Sequence, residues 1–266
     1  MAAPATPTAR GTLCLTFDNM GRAREIALGK ASAPDDNEPS LALGYPRLLA
    51  LLDTLGLHGT FFIEGWNALH HSDRILDLVE RGHEVGLHGW IHEDFASLDR
   101  PRAEQYLHDG TAAMHRIGVR PLGFRAPGGY RGVHTIEILR ALGYRYDSST
   151  VHEQSSEIER TDFAGALEPS WLAPGLAHVP WRYSMVDSIQ YLRHQERPRT
   201  PVELRESWLA MIEHAVATGS TMTLVIHAYV SGVDDARFDA IARVLTYAAK
   251  RKDLVLCTAG ELVDRL

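Results

Sequence analysis

Gly82-His83-Glu84-Val85-Gly86-Leu87-His88-Gly89-Trp90-Ile91-His92-Glu93 is a short apolar strand that runs into two histidines four residues apart. Imidazoles at i and i+4 lie on one face of a helical turn, close enough to share one divalent cation. The pair alone decides little, because the chain holds 14 histidines and chance pairs at this spacing are common in such a set. Three further pieces give it meaning. Thr16-Phe17-Asp18-Asn19 ends a strand in an acid, Phe124-Arg125-Ala126-Pro127-Gly128-Gly129 sets an arginine at a Pro-Gly turn, and Thr223-Leu224-Val225-Ile226-His227 ends a strand in a histidine.

Working outward, short apolar runs alternate with amphipathic stretches, the pattern of a parallel sheet built from βα units. Strands are expected over residues 12–18, 59–64, 84–88, 123–126, 144–148, 177–181, 223–227 and 254–258. Leu48, Leu49, Leu51, Leu52 and Leu55 form one helical stripe, and Ile75, Leu76, Leu78 and Val79 form the next, which Gly82 stops. Thr200-Pro201-Val202-Glu203 is a capping box with proline at the first helical position, opening a helix to about Val216. Asp234-Asp235 opens another that runs to Lys250, and residues 30–46 and 152–174 read as long loops of the kind that shape substrate sites. Asp18, His88, Arg125, Asp147 and His227 all fall at or just beyond strand C-termini. In a barrel of parallel strands those ends meet on one face, so residues more than 200 positions apart can share a pocket.

Composition fits one large core: 266 residues, 45% apolar and 23% charged. Residues 1–11, rich in Ala, Pro and Thr with no basic or apolar segment, read as a disordered tail rather than a signal peptide, and residues 12–266 as one domain. A net charge of −7 argues against nucleic acid and anionic membrane as partners. No run approaches the ~20 apolar residues that span a bilayer. Cys14 and Cys257 sit in apolar strand-like runs as buried free thiols. A cytoplasmic location is the expectation, and self-association into a homo-oligomer stays open.

Taken in order, the four motifs resemble the NodB-type polysaccharide deacetylases, carbohydrate esterase family 4. The family's Thr-Phe-Asp-Asp stands as Thr16-Phe17-Asp18-Asn19, its His-Ser/Thr-x-x-His as His88-Gly89-Trp90-Ile91-His92, its Arg-x-Pro as Arg125-Ala126-Pro127, and its Leu-x-x-His as Leu224-Val225-Ile226-His227. Gly59-Thr60-Phe61-Phe62-Ile63-Glu64-Gly65 looks like the family's second strand, and the resemblance spans about residues 11 to 266. It implies an α/β fold, a distorted (β/α) barrel of seven or eight parallel strands. It also implies a divalent metal, zinc ahead of cobalt or nickel, held by Asn19, His88 and His92, with Asp18 as general base, Arg125 orienting Asp18, and His227 as general acid.

The departures are specific. Asn19 stands where the family has a metal-binding Asp; its amide oxygen can coordinate but is neutral, so zinc should bind less tightly. Thr-Phe-Asp-Asn also occurs in muramic-acid-type members. Asp18 as the ligand instead of Asn19 remains open, and Asn19→Asp is expected to raise affinity by adding a negative ligand. The family's Asp-x-x-Asp-Trp is missing, and Asp147 in Tyr146-Asp147-Ser148-Ser149 is the candidate partner of His227. Asp187 reads as a helix cap or a substrate contact. Glu64, Trp66, Trp90, Trp171, Trp181 and Tyr183 could line a sugar groove, while His70, His71 and His83 read as exposed.

Within the family, Gly123-Phe124-Arg125-Ala126-Pro127-Gly128 and the run 139–149 look more like the intracellular branch with allantoinase-like and cyclic-imide-hydrolase-like proteins. The expected activity is metal-dependent hydrolysis of a non-peptide carbon-nitrogen bond, N-deacetylating an N-acetyl amino sugar or related small amide. The alternatives are ring opening of a cyclic imide or ureide, and an inactive carbohydrate-binding barrel in which Asn19 marks a lost metal. Acetate release separates the first two.

Overall fold

Strand β1 (Gly11–Asp18) lies between two different sets of neighbours, and that placement organises the molecule. A computed structural model describes residues 10–150, 168–194 and 197–266. The other strands are β2 (Thr60–Ile63), β3 (Glu84–Leu87), β4 (Gly123–Phe124), β5 (Tyr146–Asp147), β6 (Ser170–Ala173), β7 (Leu176–His178), β8 (Thr221–His227) and β9 (Leu254–Cys257). The sheet runs β6-β7-β5-β4-β3-β2-β1-β8, and β9 pairs with the first half of β1 on the edge that β2 takes further along. All pairings are parallel except that of β6 with β7. Strands β1–β5 and β7–β9 therefore form the distorted (β/α) barrel, with eight parallel strands among the described residues. Closure is partial: the segment after β7 returns to the outer edge of β8 as a single parallel bridge, Val186 to Val225.

Alternation along β1 sorts its side chains into two layers. Leu13, Leu15 and Phe17 join the large core beneath the surrounding helices. Cys14 faces the barrel interior with Phe62, Tyr146, Val179 and Cys257. Thr16 and Asp18 continue that inner row toward the strand's C-terminal end, so it passes from thiol to hydroxyl to carboxylate. The thiols of Cys14 and Cys257, on paired strands, are free and buried.

The helical stripes form as their spacing requires. Tyr45–Leu55 buries Leu48, Leu49 and Leu52 and stops at Gly56, whose φ of 62° is the left-handed cap that glycine adopts without cost. Ser72–Glu80 buries Ile75 and Leu78. The capping box at Thr200 and Glu203 opens the helix Pro201–Thr218, and Asp234 caps Asp235–Ala249.

Some expectations are corrected. The strand of residue 12 begins at Gly11, which pairs with Leu254; residues 1–9 of the expected tail lie outside the described residues. The 30–46 loop contains the helical turn Ser40–Gly44 and leads into the helix at Tyr45. Of the 152–174 loop, residues 152–167 lie outside the described residues, and Ser170–Ala173 is strand β6. His71 and His83 are buried; His70 alone of the three is exposed.

Candidate functional site at the strand C-termini

Asp18 ends β1 on the interior row, and Asn19 then turns the chain with a φ of 66°. Asparagine tolerates this left-handed conformation better than most residues because its short polar side chain bonds locally. Its backbone is fixed on both sides: the Asn19 N–H donates to Phe62 O (3.1 Å), and the Tyr45 hydroxyl donates to Asn19 O (2.6 Å). Its amide Nδ2 donates to Glu64 Oε1 at 2.6 Å. Oδ1 is the atom of Asn19 left without a hydrogen bond among the described residues. Glu64 is fully buried, and burial lifts its carboxyl to about 7 against the pull of its hydrogen bonds.

Arg125, just beyond β4, is the largest buried charge. It is fully buried, with its guanidinium 4.2 Å above the Phe62 ring. Nη1 donates to Asp18 Oδ1 (2.6 Å) and Thr16 Oγ1 (2.9 Å), Nε to Ser148 O (2.8 Å) and Nη2 to Ser148 Oγ (2.7 Å). A guanidinium with this many fixed acceptors cannot rotate, so Asp18 Oδ1 is pinned and Oδ2 remains for a ligand. The Asp18–Arg125 pairing expected from the motif order is present.

His88 follows β3, but the helical turn expected to carry the histidines does not form. The chain loops, with His92 at a φ of 72°, and Glu93 anchors the loop by accepting from the Trp90 and Ile91 N–H groups at 2.7 and 2.8 Å. The rings still meet, with centroids 5.3 Å apart and planes at 78°. His88 Nδ1 donates to the Arg125 carbonyl (2.9 Å), which fixes the tautomer and leaves Nε2 with its lone pair. Burial, with help from the Arg125 charge, pushes His88 down to about 3. Burial, then His88, pushes His92 well below the ordinary histidine value. Both rings are thus neutral at physiological pH, the form that ligates a metal.

His227 ends β8 and is directly opposite Asp18 in the β1–β8 register. Its partner is Asp187, not Asp147. Nδ1 of His227 meets Asp187 Oδ1 at 2.6 Å, while the His227 N–H (2.9 Å) and Ser231 Oγ (2.6 Å) both donate to Asp187 Oδ2. Asp147 is fully buried elsewhere, paired with Arg131 and accepting from Ser149 Oγ at 2.7 Å. The physical reason is sheet order: β5 and β8 are far apart in the sheet, whereas the Val186–Val225 bridge brings residue 187 alongside β8. Asp187 opens the helix Asp187–Leu192, so neither a simple cap nor a substrate contact describes it.

A model of the polysaccharide deacetylase family matches residues 5–146, just over half of the 266-residue chain. The chain belongs to that family. It is 40% identical over 112 residues to a peptidoglycan deacetylase-like protein of Gibberella zeae, covering 40% of this chain and 32% of that protein. It is 32% identical over 128 residues to the peptidoglycan deacetylase of Helicobacter pylori, covering 47% of this chain and 44% of the relative. The chain thus spans less than half the length of either relative. A solved structure of a putative polysaccharide deacetylase from Mycobacterium smegmatis aligns with a TM-score of 0.78 at 26% identity, over 99% of this chain and 93% of that one. Puue allantoinase aligns at a TM-score of 0.79 and 19% identity, over 97% of this chain and 90% of the other, which shows a shared fold. The match to the polysaccharide deacetylase model takes in Asp18, Asn19, His88, His92 and Arg125. Asp187 and His227 lie beyond it.

In this family member Asp18, Asn19, His88, His92 and His227 line one cleft of about 120 Å³, with Arg24, Trp181, Arg193 and Tyr229. Gly129 borders it with a φ of 91°, where a Cβ would lie 2.6 Å from Trp181. Arg125 lies behind Asp18, and Asp147 is not part of the lining. Trp181, itself buried, is the expected groove aromatic that lines the cleft; Glu64, Trp66 and Tyr183 are buried away from it, and Trp171 is 56% exposed on β6. Among the described residues no group of three His, Cys, Asp or Glu side chains is placed to hold a metal ion. Two neutral imidazoles, His88 and His92, and the amide of Asn19 line the same cleft.

Proposed function

We propose that this chain is a metal-dependent amide hydrolase that removes the acetyl group from an N-acetyl amino sugar or a related small amide. The observation that carries the reading is the placement of Asp18 and His227 side by side at the ends of adjacent strands on one cleft, each tied to a charged partner, Arg125 and Asp187. His88 and His92 would hold a divalent cation with Asn19 Oδ1. Two nitrogens and an oxygen suit zinc, with cobalt or nickel acceptable. Such an ion supplies Lewis acidity, acidifying a water and polarising the substrate carbonyl. Asn19 is preferred to Asp18 as third ligand because Arg125 occupies Asp18 Oδ1, while Asn19 Oδ1 is free of hydrogen bonds among the described residues.

Asp18 Oδ2 accepts the proton of the attacking water, and the Arg125 guanidinium keeps that carboxylate oriented. The water oxygen bonds to the carbonyl carbon. As the carbon-nitrogen bond breaks, His227 Nε2 gives its proton to the leaving amine, and Asp187 holds the ring through Nδ1 so that Nε2 faces the cleft. Acetate and a free amine leave. Tyr229, half-buried at the cleft wall, offers a face for the apolar side of a sugar.

The test joins elemental analysis of the purified protein to acetate release from monomeric and oligomeric N-acetyl sugars. Stoichiometric metal with acetate release supports the reading; metal-replete protein that opens cyclic imides without releasing acetate overturns it. His88→Ala and His92→Ala should each lose bound metal and turnover while keeping the fold, since both residues sit beyond the end of β3. Full metal content in both variants would refute the assignment.

A further inference from the structure

One fully buried acid takes no part in these steps. Glu64, one residue beyond β2, receives hydrogen bonds from neutral donors only: Asn19 Nδ2 on Oε1 (2.6 Å), and Asn67 Nδ2 (2.9 Å) and the Met20 N–H (3.2 Å) on Oε2. Asn67 Nδ2 is itself held by Met20 O at 3.1 Å. A buried carboxylate without a cationic partner is costly. The nearest polar group is the amide of Asn19.

An asparagine amide can present either its oxygen or its NH2 to the cleft, and only the oxygen can face a cation. Glu64 Oε2 accepts from the Met20 N–H and Asn67 Nδ2, and Oε1 accepts from Asn19 Nδ2, so the Asn19 NH2 faces Glu64 and Oδ1 turns the other way. We infer that Glu64 is the positioning residue that makes Asn19 a metal ligand, by holding the amide NH2 so that Oδ1 faces the cleft. This rests on the proposed metal-dependent hydrolase. It changes the expectation for Asn19→Asp: alone, that substitution sets a second carboxylate 2.6 Å from Glu64, and like charges at that distance oppose each other. The gain in ligand charge is offset unless position 64 becomes a donor.

A double-mutant cycle tests this, with zinc affinity of the metal-free protein measured against a competing chelating indicator and folding followed by circular dichroism. In Glu64→Gln the new NH2 faces donors, and the Asn19 amide must rotate or lose its bond. Zinc affinity should fall about 10- to 100-fold, the usual cost of losing a group that orients a ligand. In Asn19→Asp/Glu64→Gln the donor and acceptor are exchanged: the introduced glutamine amide donates to the introduced aspartate, and its oxygen still accepts from Met20 and Asn67. The double variant should bind zinc at least as tightly as the native chain, and more tightly than Asn19→Asp alone. A merely structural role for Glu64 predicts no such rescue. If Glu64→Gln does not fold, the pair Asn19→Asp and Asn19→Asp/Glu64→Gln carries the test. Native-like affinity in Glu64→Gln, or a double variant no better than Asn19→Asp, overturns the inference while leaving the hydrolase reading intact. Native protein whose zinc binding is absent, or unaffected by His88→Ala, overturns both.

Discussion

Asp147 and Asp187 are both fully buried, and each accepts a serine hydroxyl, yet one is sealed into the wall and the other acts on the cleft. Asp147 meets Arg131, and a guanidinium stays charged at every physiological pH, so the pair can only hold structure. Asp187 meets His227 at the cleft wall, and imidazole is the side-chain type suited to passing protons near neutrality. A buried carboxylate thus takes its role from the basic group it faces. Its own burial says little.

The largest effect should come from severing the catalytic half of this comparison. His227→Ala, and Asp187→Asn, which keeps the shape but withdraws the charge that orients the ring, should each lower turnover on an N-acetyl amide by on the order of 10²- to 10⁴-fold, with metal content unchanged. An ester with a good leaving group needs little protonation, so its cleavage should suffer much less. Equal losses on amide and ester would remove His227 from the role of acid. Asp147→Asn should do the reverse. It strips one partner from an ion pair whose arginine is 24% exposed, and should cost about 3 kcal/mol of stability by denaturant unfolding with little change in turnover. A large loss of turnover at unchanged stability would erase the distinction between the two acids.

The smallest effect concerns a histidine without a hydrogen-bonded carboxylate. His83 Nδ1 accepts from the Gly59 N–H at 3.4 Å, Nε2 is buried and unpartnered, and burial pushes the ring down to about 4. The unfolded chain takes up its proton near the ordinary value of ~6.5, so this group's contribution is intact above that pH and is lost as pH falls toward 4. The loss should reach about 2 kcal/mol at pH 5. His83→Leu should flatten the dependence of unfolding free energy on pH by that amount between pH 7 and 5. An unchanged slope would mean that the ring is protonated in the folded chain.

All eight parallel strands were legible because each is a short apolar run flanked by helical periodicity, and each functional residue except His92 and Asp187 stands at or just beyond a strand end. Strand β6 was not, because Ser170 and Trp171 form an exposed edge with no apolar alternation. The Pro174-Gly175 turn, where Gly175 has a φ of 79°, was the available hairpin signal. Asp147 drew attention by satisfying the strand-end rule. Asp187 escaped because it reaches His227 through a single bridge in a returning segment, and nothing local in sequence marks such a bridge. His83 escaped because its burial comes from the rings of Phe61 and His58, one of them on the neighbouring strand. Asn19 was legible as an oddity. Its explanation lay 45 residues away, in an acid whose neighbours read as plain core.

Strand β1 pairs with β8 and β9, so Asp18 lies beside His227 and Gly11 beside Leu254. During synthesis the chain emerges from β1 onward at roughly 5–20 residues per second, and the roughly 200 residues before β8 take on the order of 10 to 40 s. Through that interval β1 can pair with β2 along one edge, while the edge meant for β8 carries bare N–H and C=O groups beside Leu13, Leu15 and Phe17. The strand that carries Asp18 is therefore an adhesive segment of the nascent chain, and the yield of folded protein should depend on how well the cell shields it until the last strands arrive.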